Sequence, residues 1–155
     1  MLNDHIVLIT IWIFTIAGLF KFIPRNKLRD AQIIFFFKQF MTWFLGLVVV
    51  QLGLIVYPIR EFPKATQTSF SFEYFLYPAI CVVFNLHFPE KKNWVYRVAW
   101  FLLFPTWMTV LEALIERYTN LVLYIYWEWY WTWITLFFTF LFSRLYYIWF
   151  RKRLC

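Results

Sequence analysis

Residues 31–57 read AQIIFFFKQFMTWFLGLVVVQLGLIVY, with Lys38 as the one charged side chain. A transmembrane helix needs about 20 predominantly apolar residues, so this stretch is long enough to cross a bilayer. Its runs at 33–37 and 45–50 are continuously apolar, whereas the strands of a membrane barrel alternate apolar and polar residues. The stretch therefore predicts a membrane-spanning α-helix.

The rest of the chain repeats this pattern. With 63% hydrophobic and 15% charged residues, the 155-residue chain is too apolar for an ordinary soluble domain. Pro24, Pro58 and Pro89 follow apolar stretches, at points where a helix would end. We predict an all-α fold, a single polytopic five-transmembrane-helix bundle over 1–155, with spans at about 6–22, 31–57, 70–88, 96–118 and 121–150.

The positive charges predict the orientation. Cytoplasmic loops of membrane proteins are enriched in Lys and Arg. On one side of the predicted bundle, three basic residues flank the span ends, namely Arg60, Lys64 and Arg117. On the other side there are ten: Lys21, Arg25, Lys27, Arg29, Lys91, Lys92, Arg97, Arg151, Lys152 and Arg153. We therefore expect the N-terminus outside and the C-terminus in the cytoplasm.

The same placement interprets the net charge of +7. The basic residues lie where the topology rule for cytoplasmic loops places them, and there they can also contact anionic lipid headgroups. We therefore expect the lipid bilayer as the partner, and we expect no nucleic acid. The N-terminus has no basic region and no cleavage site follows the first apolar run, so we read it as a retained span.

Ionisable residues inside the predicted spans are candidate functional groups, because a charge in the bilayer is costly unless it is paired or hydrated. The inner half holds Lys38, Asn85, His87 and Arg144, and we expect Lys38 and Arg144 to reach the headgroups. The outer half holds the four cation- or proton-binding candidates, which are Glu73, Glu112, Glu116 and Glu128. Alternatively, these glutamates pair with Arg60 and Arg117.

Polar and small residues recur every three or four positions, so they share helix faces. One row runs from Glu128 through the threonines of the fifth span, and Gly46 and Gly53 lie on one side of the second. We expect these faces to point inward around a polar seam that includes Gln39, Asn85, Thr109, Thr132, Thr135 and Thr139. Alternatively, such stripes serve only to pack helices together.

The segment 124–133 contains seven Tyr and Trp residues around Glu128. We favour an aromatic belt at the outer interface over a pocket for a cation such as a quaternary ammonium group. Pro78, inside the third span, leaves the Tyr74 carbonyl without its helical donor.

Motifs for catalysis are absent from the sequence. It has no G-x-S-x-G or H-E-x-x-H, and three glycines cannot build a phosphate-binding loop. Two histidines and two cysteines give no recognised metal-ligand spacing, so we expect no cofactor and leave the identity of any metal unknown.

The segments at 57–60, 68–75, 77–81 and 85–89 read YPIR, TSFSFEYF, YPAIC and NLHFP. Together with the Trp-rich fifth span, they resemble an uncharacterised family of small multi-pass membrane proteins from spore-forming Gram-positive bacteria. The resemblance implies a bacterial cytoplasmic membrane and a similar length, and it transfers no activity or site residue.

Three functional hypotheses remain open. The first is a non-enzymatic membrane component that acts through a membrane-protein partner or as a homo-oligomer. The second is a cation- or proton-linked transport or binding protein that uses the outer glutamates. The third is a small membrane enzyme acting on lipid, for which Glu112 and Glu116 would be the acid–base pair.

Overall fold

The computed structural model describes residues 2–154, in which five α-helices dominate. They are α1 (Leu2–Phe22), α2 (Leu28–Gln51), α3 (Tyr77–Leu86), α4 (Trp94–Tyr118) and α5 (Trp129–Leu154). A π-helical segment, Phe70–Leu76, leads directly into α3, and a 3₁₀ turn, Arg25–Lys27, precedes α2. The all-α prediction is confirmed. The helices α1, α2, α4 and α5 are long and apolar enough to cross a membrane, and Phe70–Leu86 is a shorter apolar helix.

The second helix ends at Gln51, so the predicted continuation to residue 57 is wrong. Gly53 has a φ of +69°, a left-handed conformation that glycine adopts readily. The Gly53 N–H donates to the Val50 carbonyl and the Leu54 N–H to the Val49 carbonyl, which is the bonding of a Schellman motif. Gly53 therefore stops the helix and does not pack within it.

The fifth helix begins at Trp129, not at residue 121. Two short strands, β1 (Ile55–Val56) and β2 (Leu123–Tyr124), pair antiparallel and hold the preceding chain in an extended form. The Ile125 and Tyr126 N–H groups donate to the Leu54 carbonyl and extend this pairing. Strand pairing with a distant segment overrides the apolar run that predicted helix there. With Phe70–Leu86 taken as the third span, the remaining bounds differ from the prediction by at most four residues.

The π-helical segment is anchored on α2. Pro78 has no N–H to offer the carbonyls of Glu73 and Tyr74, five and four residues earlier. Thr42 Oγ1 donates to the Glu73 carbonyl at 2.6 Å, and Gln39 Nε2 donates to the Tyr74 carbonyl at 2.8 Å. The carbonyl that the sequence predicted to be free is therefore used to join two helices.

The bundle has two distinct ends. At the strand end, which contains β1 and β2, an apolar cluster is formed by Leu8, Ile55, Tyr57, Phe72, Leu121 and Val122. At the basic end, Arg144 and Arg151 at the C-terminal part of α5 contact Glu90 in the α3–α4 connection. A second apolar cluster around Ile34, Phe84 and Phe140 fills the interior of α2–α5. Buried polar side chains lie between these clusters.

Candidate functional site

Two buried carboxylates face one small cavity. Glu73, from the π-helical segment, is 6% exposed, and Glu112, from α4, is 8% exposed. Both line a cavity of about 70 Å³, together with Thr42, Gly46, Tyr57, Tyr77, Trp127, Thr132, Thr135 and Thr139. This volume is enough for a small ion or a few water molecules. Five helical segments therefore contribute to one site, namely α2, the π-helical segment, α3, α4 and α5, together with β1 through Ile55.

Hydroxyl donors surround the Glu112 carboxylate. The Tyr77 hydroxyl donates to Oε2, and the Tyr124 hydroxyl and Thr132 Oγ1 donate to Oε1 at 2.7 and 2.9 Å. Trp127 Nε1 donates in turn to Thr132 Oγ1 at 2.8 Å. Three neutral donors hold this carboxylate in place.

Glu73 is held less completely. The Tyr57 hydroxyl donates to Oε1 at 2.7 Å, whereas Oε2 is buried without a hydrogen-bond partner. The carboxylate lies directly against Gly46, where an added Cβ would stand 1.8 Å from Oε2. Gly46 therefore makes the room in α2 that Glu73 occupies, and among the described residues Oε2 has no hydrogen-bond donor.

The tyrosine donors do not neutralise the carboxylates. Burial raises the pKa of Tyr57, and the nearby Glu73 and Glu112 carboxylates raise that pKa further. Burial and the Glu112 carboxylate likewise raise the pKa of Tyr124, so both phenols stay protonated and neutral at physiological pH. The site therefore combines two carboxylates with uncharged donors.

Basic residues do not pair with these glutamates among residues 2–154, since neither carboxylate has a Lys, Arg or His nitrogen within 4.0 Å. Arg60 instead donates to the carbonyls of Thr66 and Tyr57, and Arg117 is exposed. The alternative that Arg60 and Arg117 pair with the cluster is therefore contradicted by the structure.

Lys38 is the largest departure from the sequence-based expectation. It was expected to extend to the headgroups, but its side chain is fully buried. Nζ donates to Thr139 Oγ1 at 2.5 Å and lies 4.1 Å from the centre of the Phe140 ring. Because Thr139 also lines the carboxylate cavity, Lys38 places a positive charge behind the cavity wall. Side-chain packing between α2 and α5, which a single helix pattern does not reveal, turns Lys38 inward.

The other two glutamates lie apart from this cavity. Glu116 is half-buried, one turn beyond Glu112 on α4. Glu128 is exposed and precedes α5, where the Trp131 N–H donates to its carbonyl. A carboxylate is favourable at a helix N-terminus, which gives Glu128 a structural role. The expectation that Glu128 starts the polar row of the fifth helix is therefore wrong.

The predicted seam residues divide into three groups. Thr132, Thr135 and Thr139 line the cavity. Gln39 and Thr109 are buried and satisfy carbonyls, those of Tyr74 and Pro105 respectively. Asn85 lies toward the basic end, where its Nδ2 contacts Cys81 and Ser143.

Arg144, which we expect to extend to the headgroups, is instead 7% exposed and is held by bonds at the basic end of the bundle. Its Nη2 donates to Glu90 Oε1 at 2.5 Å, and its Nη1 donates to the Asn85 carbonyl. Burial opposes the charge of Glu90, but the Arg144 and Arg151 guanidinium groups outweigh it and lower the pKa of Glu90.

Sequence reasoning did not assign Tyr57 and Tyr124 to the site. Both lie inside predicted helices, and the signal that could have removed Tyr57 from its helix is Gly53, which ends α2 before Tyr57. A contact between two separate loops, as in β1–β2, leaves no periodic pattern in the sequence.

Ligand number limits the kind of ion that this site can hold. Among residues 2–154 no group of three or more His, Cys, Asp and Glu side chains is placed to hold a metal ion. Calcium takes six to eight oxygen ligands, so two carboxylates suit a proton or a monovalent cation better. The chain matches no protein-family model, no curated protein and no solved structure.

Proposed function

We propose that this membrane protein binds one positive charge, a cation or a proton, between Glu73 and Glu112, and that transport or sensing depends on that binding. The observation that carries the proposal is the pair of carboxylates, each more than nine-tenths buried and held only by neutral donors. Burying an unpaired carboxylate costs several kcal/mol, so the pair needs a counter-charge. The unpartnered Glu73 Oε2 gives that charge a place to bind.

The charged side chains in and next to the cavity suggest how many positive charges bind there. Glu73 and Glu112 contribute −2 and Lys38 contributes +1, which leaves −1. Arg144 does not enter this sum because Glu90 neutralises it. One proton or one monovalent cation would therefore balance the interior.

For the topology we propose five spans, with Phe70–Leu86 as the third, in a bacterial cytoplasmic membrane. Its 17 residues reach the lower limit for crossing a bilayer. Support comes from the basic end, where Glu90 joins α5 and where the Tyr147 hydroxyl donates to Asp30 at the start of α2. The segments rich in Lys and Arg thus lie at one end, which we assign to the cytoplasm with the C-terminus, leaving the N-terminus outside.

The test is a thermal melt of the purified protein between pH 5 and 8, with and without sodium, potassium and divalent cations. We expect bound cations to raise the melting temperature of the wild type, since a ligand at about 100 times its Kd adds about 2.7 kcal/mol. Glu112→Gln keeps the size of the side chain and removes its charge, so it should remove this dependence on cations and pH. Glu116→Gln makes the same change one turn away and should retain it.

Other outcomes separate the competing hypotheses. A wild type whose melting temperature is independent of both pH and cations would contradict the proposal. The carboxylates would then serve only to fix the tyrosines, and action through a membrane partner or as a homo-oligomer would be favoured.

A further inference from the structure

A large apolar groove lies beside the carboxylate cavity. It has a volume of about 520 Å³ and runs between α1 and α4, with the π-helical segment and α3 as its floor. Phe14, on its α1 wall, is 74% exposed, so the rim faces the hydrocarbon of the proposed bilayer. Binding sites for small organic molecules usually span about 300–1,000 Å³ and are mainly apolar.

Glu112 and Tyr77 line both the groove and the cavity. Among the described residues, Glu112 is the one Asp, Glu, Lys, Arg or His in the groove wall. The two threonines of that wall bond to their own helix, Thr10 to the Ile6 carbonyl and Thr15 to the Ile11 carbonyl. The groove therefore presents one carboxylate on an otherwise uncharged surface.

We propose that the groove binds an organic cation with an apolar body, of the quaternary ammonium or phosphonium class, whose charged centre faces Glu112. This inference rests on the proposed function, because it names the class of the positive charge that Glu112 receives from the groove side. Such a cation cannot form a hydrogen bond through its charged centre, but it is attracted to a carboxylate and to aromatic faces. Trp107, Phe104 and Phe72 supply those faces within the same groove.

The geometry leaves Glu112 able to receive this charge. Its Oε1 accepts two hydrogen bonds, from Tyr124 and Thr132, whereas Oε2 accepts one, from Tyr77. Each carboxylate oxygen can accept two hydrogen bonds, so one lone pair of Oε2 is not used by a donor. The negative charge at Oε2 is therefore less screened by donors than that at Oε1. An uncharged occupant, such as a phospholipid acyl chain, would fill the groove but would leave the interior charge of −1, from Glu73, Glu112 and Lys38, unbalanced.

The experiment measures binding of radiolabelled tetraphenylphosphonium to the purified full-length protein, with neutral triphenylphosphine oxide as a competitor. We expect saturable binding that the neutral compound does not displace. Glu112→Gln should weaken this binding about tenfold or more, since it removes the opposite charge. Gly18→Phe should weaken it by a similar factor, because Gly18 lines the groove and an added side chain there meets open space.

A matched variant tests whether the groove itself is responsible. Ala17→Phe places the same ring on an exposed position outside the groove, and it should bind the cation as the wild type does. Equal losses in Ala17→Phe and Gly18→Phe would overturn the assignment of the groove. Unsaturable binding, or displacement by triphenylphosphine oxide with Glu112→Gln unaffected, would identify the groove as a site for neutral lipid and contradict the inference.

Failure of this inference is distinguishable from failure of the proposed function. A wild type that binds no tetraphenylphosphonium but melts in a cation- and pH-dependent way leaves the carboxylate site standing and removes the organic cation. In Gly18→Phe the cation- and pH-dependent melting should persist, since Gly18 does not line the carboxylate cavity.

Discussion

Gly46 illustrates how a single residue positions the carboxylate site. The Glu73 carboxylate occupies the space where any other residue would place a Cβ. The sequence predicted a small-residue face that includes both Gly46 and Gly53, and the two residues have different tasks. Gly46 allows close approach inside α2, whereas Gly53 ends the helix. Periodicity identified the face, but it could not show that the neighbour would be a charged group.

The first prediction concerns Gly46. Gly46→Ala puts a methyl group against Glu73 Oε2, so the carboxylate must move or the helices must separate. Overpacking of this kind costs about 1–3 kcal/mol, and we expect a lower melting temperature together with weaker cation binding. Gly18→Ala is the matched control, because its Cβ meets nothing within 4 Å. An unchanged melting temperature in Gly46→Ala would contradict the close contact.

The second prediction concerns Lys38, whose positive charge lies behind the cavity wall. Lys38→Met keeps most of the volume and removes the charge. We expect cation affinity to increase about 10-fold or more, since at an effective dielectric constant of about 20 a unit charge as far as about 10 Å away still contributes about 1.7 kcal/mol. Isothermal titration of the wild type and the variant at pH 6 measures this change. A decrease in affinity would show that Lys38 supports binding by holding Thr139.

At the level of elements, the predicted inward faces of α2 to α5 agree with the structure better than the predicted ends do. The buried residues Gln39, Asn85, Thr109 and Thr139 follow from helical spacing, which is a property of each helix alone. The ends of α2 and α5 depend on the Schellman turn at Gly53 and on the β1–β2 pairing. Pairing between loops far apart in sequence cannot be derived from the period of either one.

The third prediction concerns the α3–α4 connection, which Glu90 joins to α5. The lowered pKa of Glu90 means that its contribution to stability is present above the unfolded pKa of about 4.3 and is lost as the pH falls through the folded value. Glu90→Gln should therefore lower the melting temperature at pH 7 by roughly 2–4 °C, taking about 1 kcal/mol for the pairs. The difference from wild type should begin to shrink near the unfolded pKa of about 4.3 and disappear once the pH lies below the lowered folded value. A difference that is constant with pH would show that the ion pairs are not its cause.

On the scale of the whole molecule, the charge asymmetry and the contacts at the basic end support the same arrangement of helices. Glu90 and Asp30 connect the α3–α4 loop and the start of α2 to α5, so three connections rich in Lys and Arg lie together. The sequence predicted that these segments share one end, because Lys and Arg are enriched in the short loops on one side of a membrane. The sequence could not predict that Glu73 and Glu112 face one cavity, because that depends on how α2, the π-helical segment and α4 pack together.

The fourth prediction tests the orientation with a membrane-impermeant thiol reagent. Cys155, which lies outside the described residues, should not be labelled in intact cells and should be labelled after permeabilisation. Cys81 is fully buried and should resist the reagent in both conditions. The variant Cys155→Ser is the control, since it should abolish all labelling. Labelling of Cys155 from outside would reverse the orientation.

The small β1–β2 pairing couples two hydroxyl donors of the carboxylate site. Tyr57, which follows β1, donates to Glu73, and Tyr124, within β2, donates to Glu112. Since Ile55 pairs with Tyr124 and Val56 with Leu123, a displacement of one connection pulls on the other. Both carboxylates should therefore lose or regain these phenol donors in one concerted event, so that under the proposed function the affinity for the positive charge would change in a single step, whichever loop moves first.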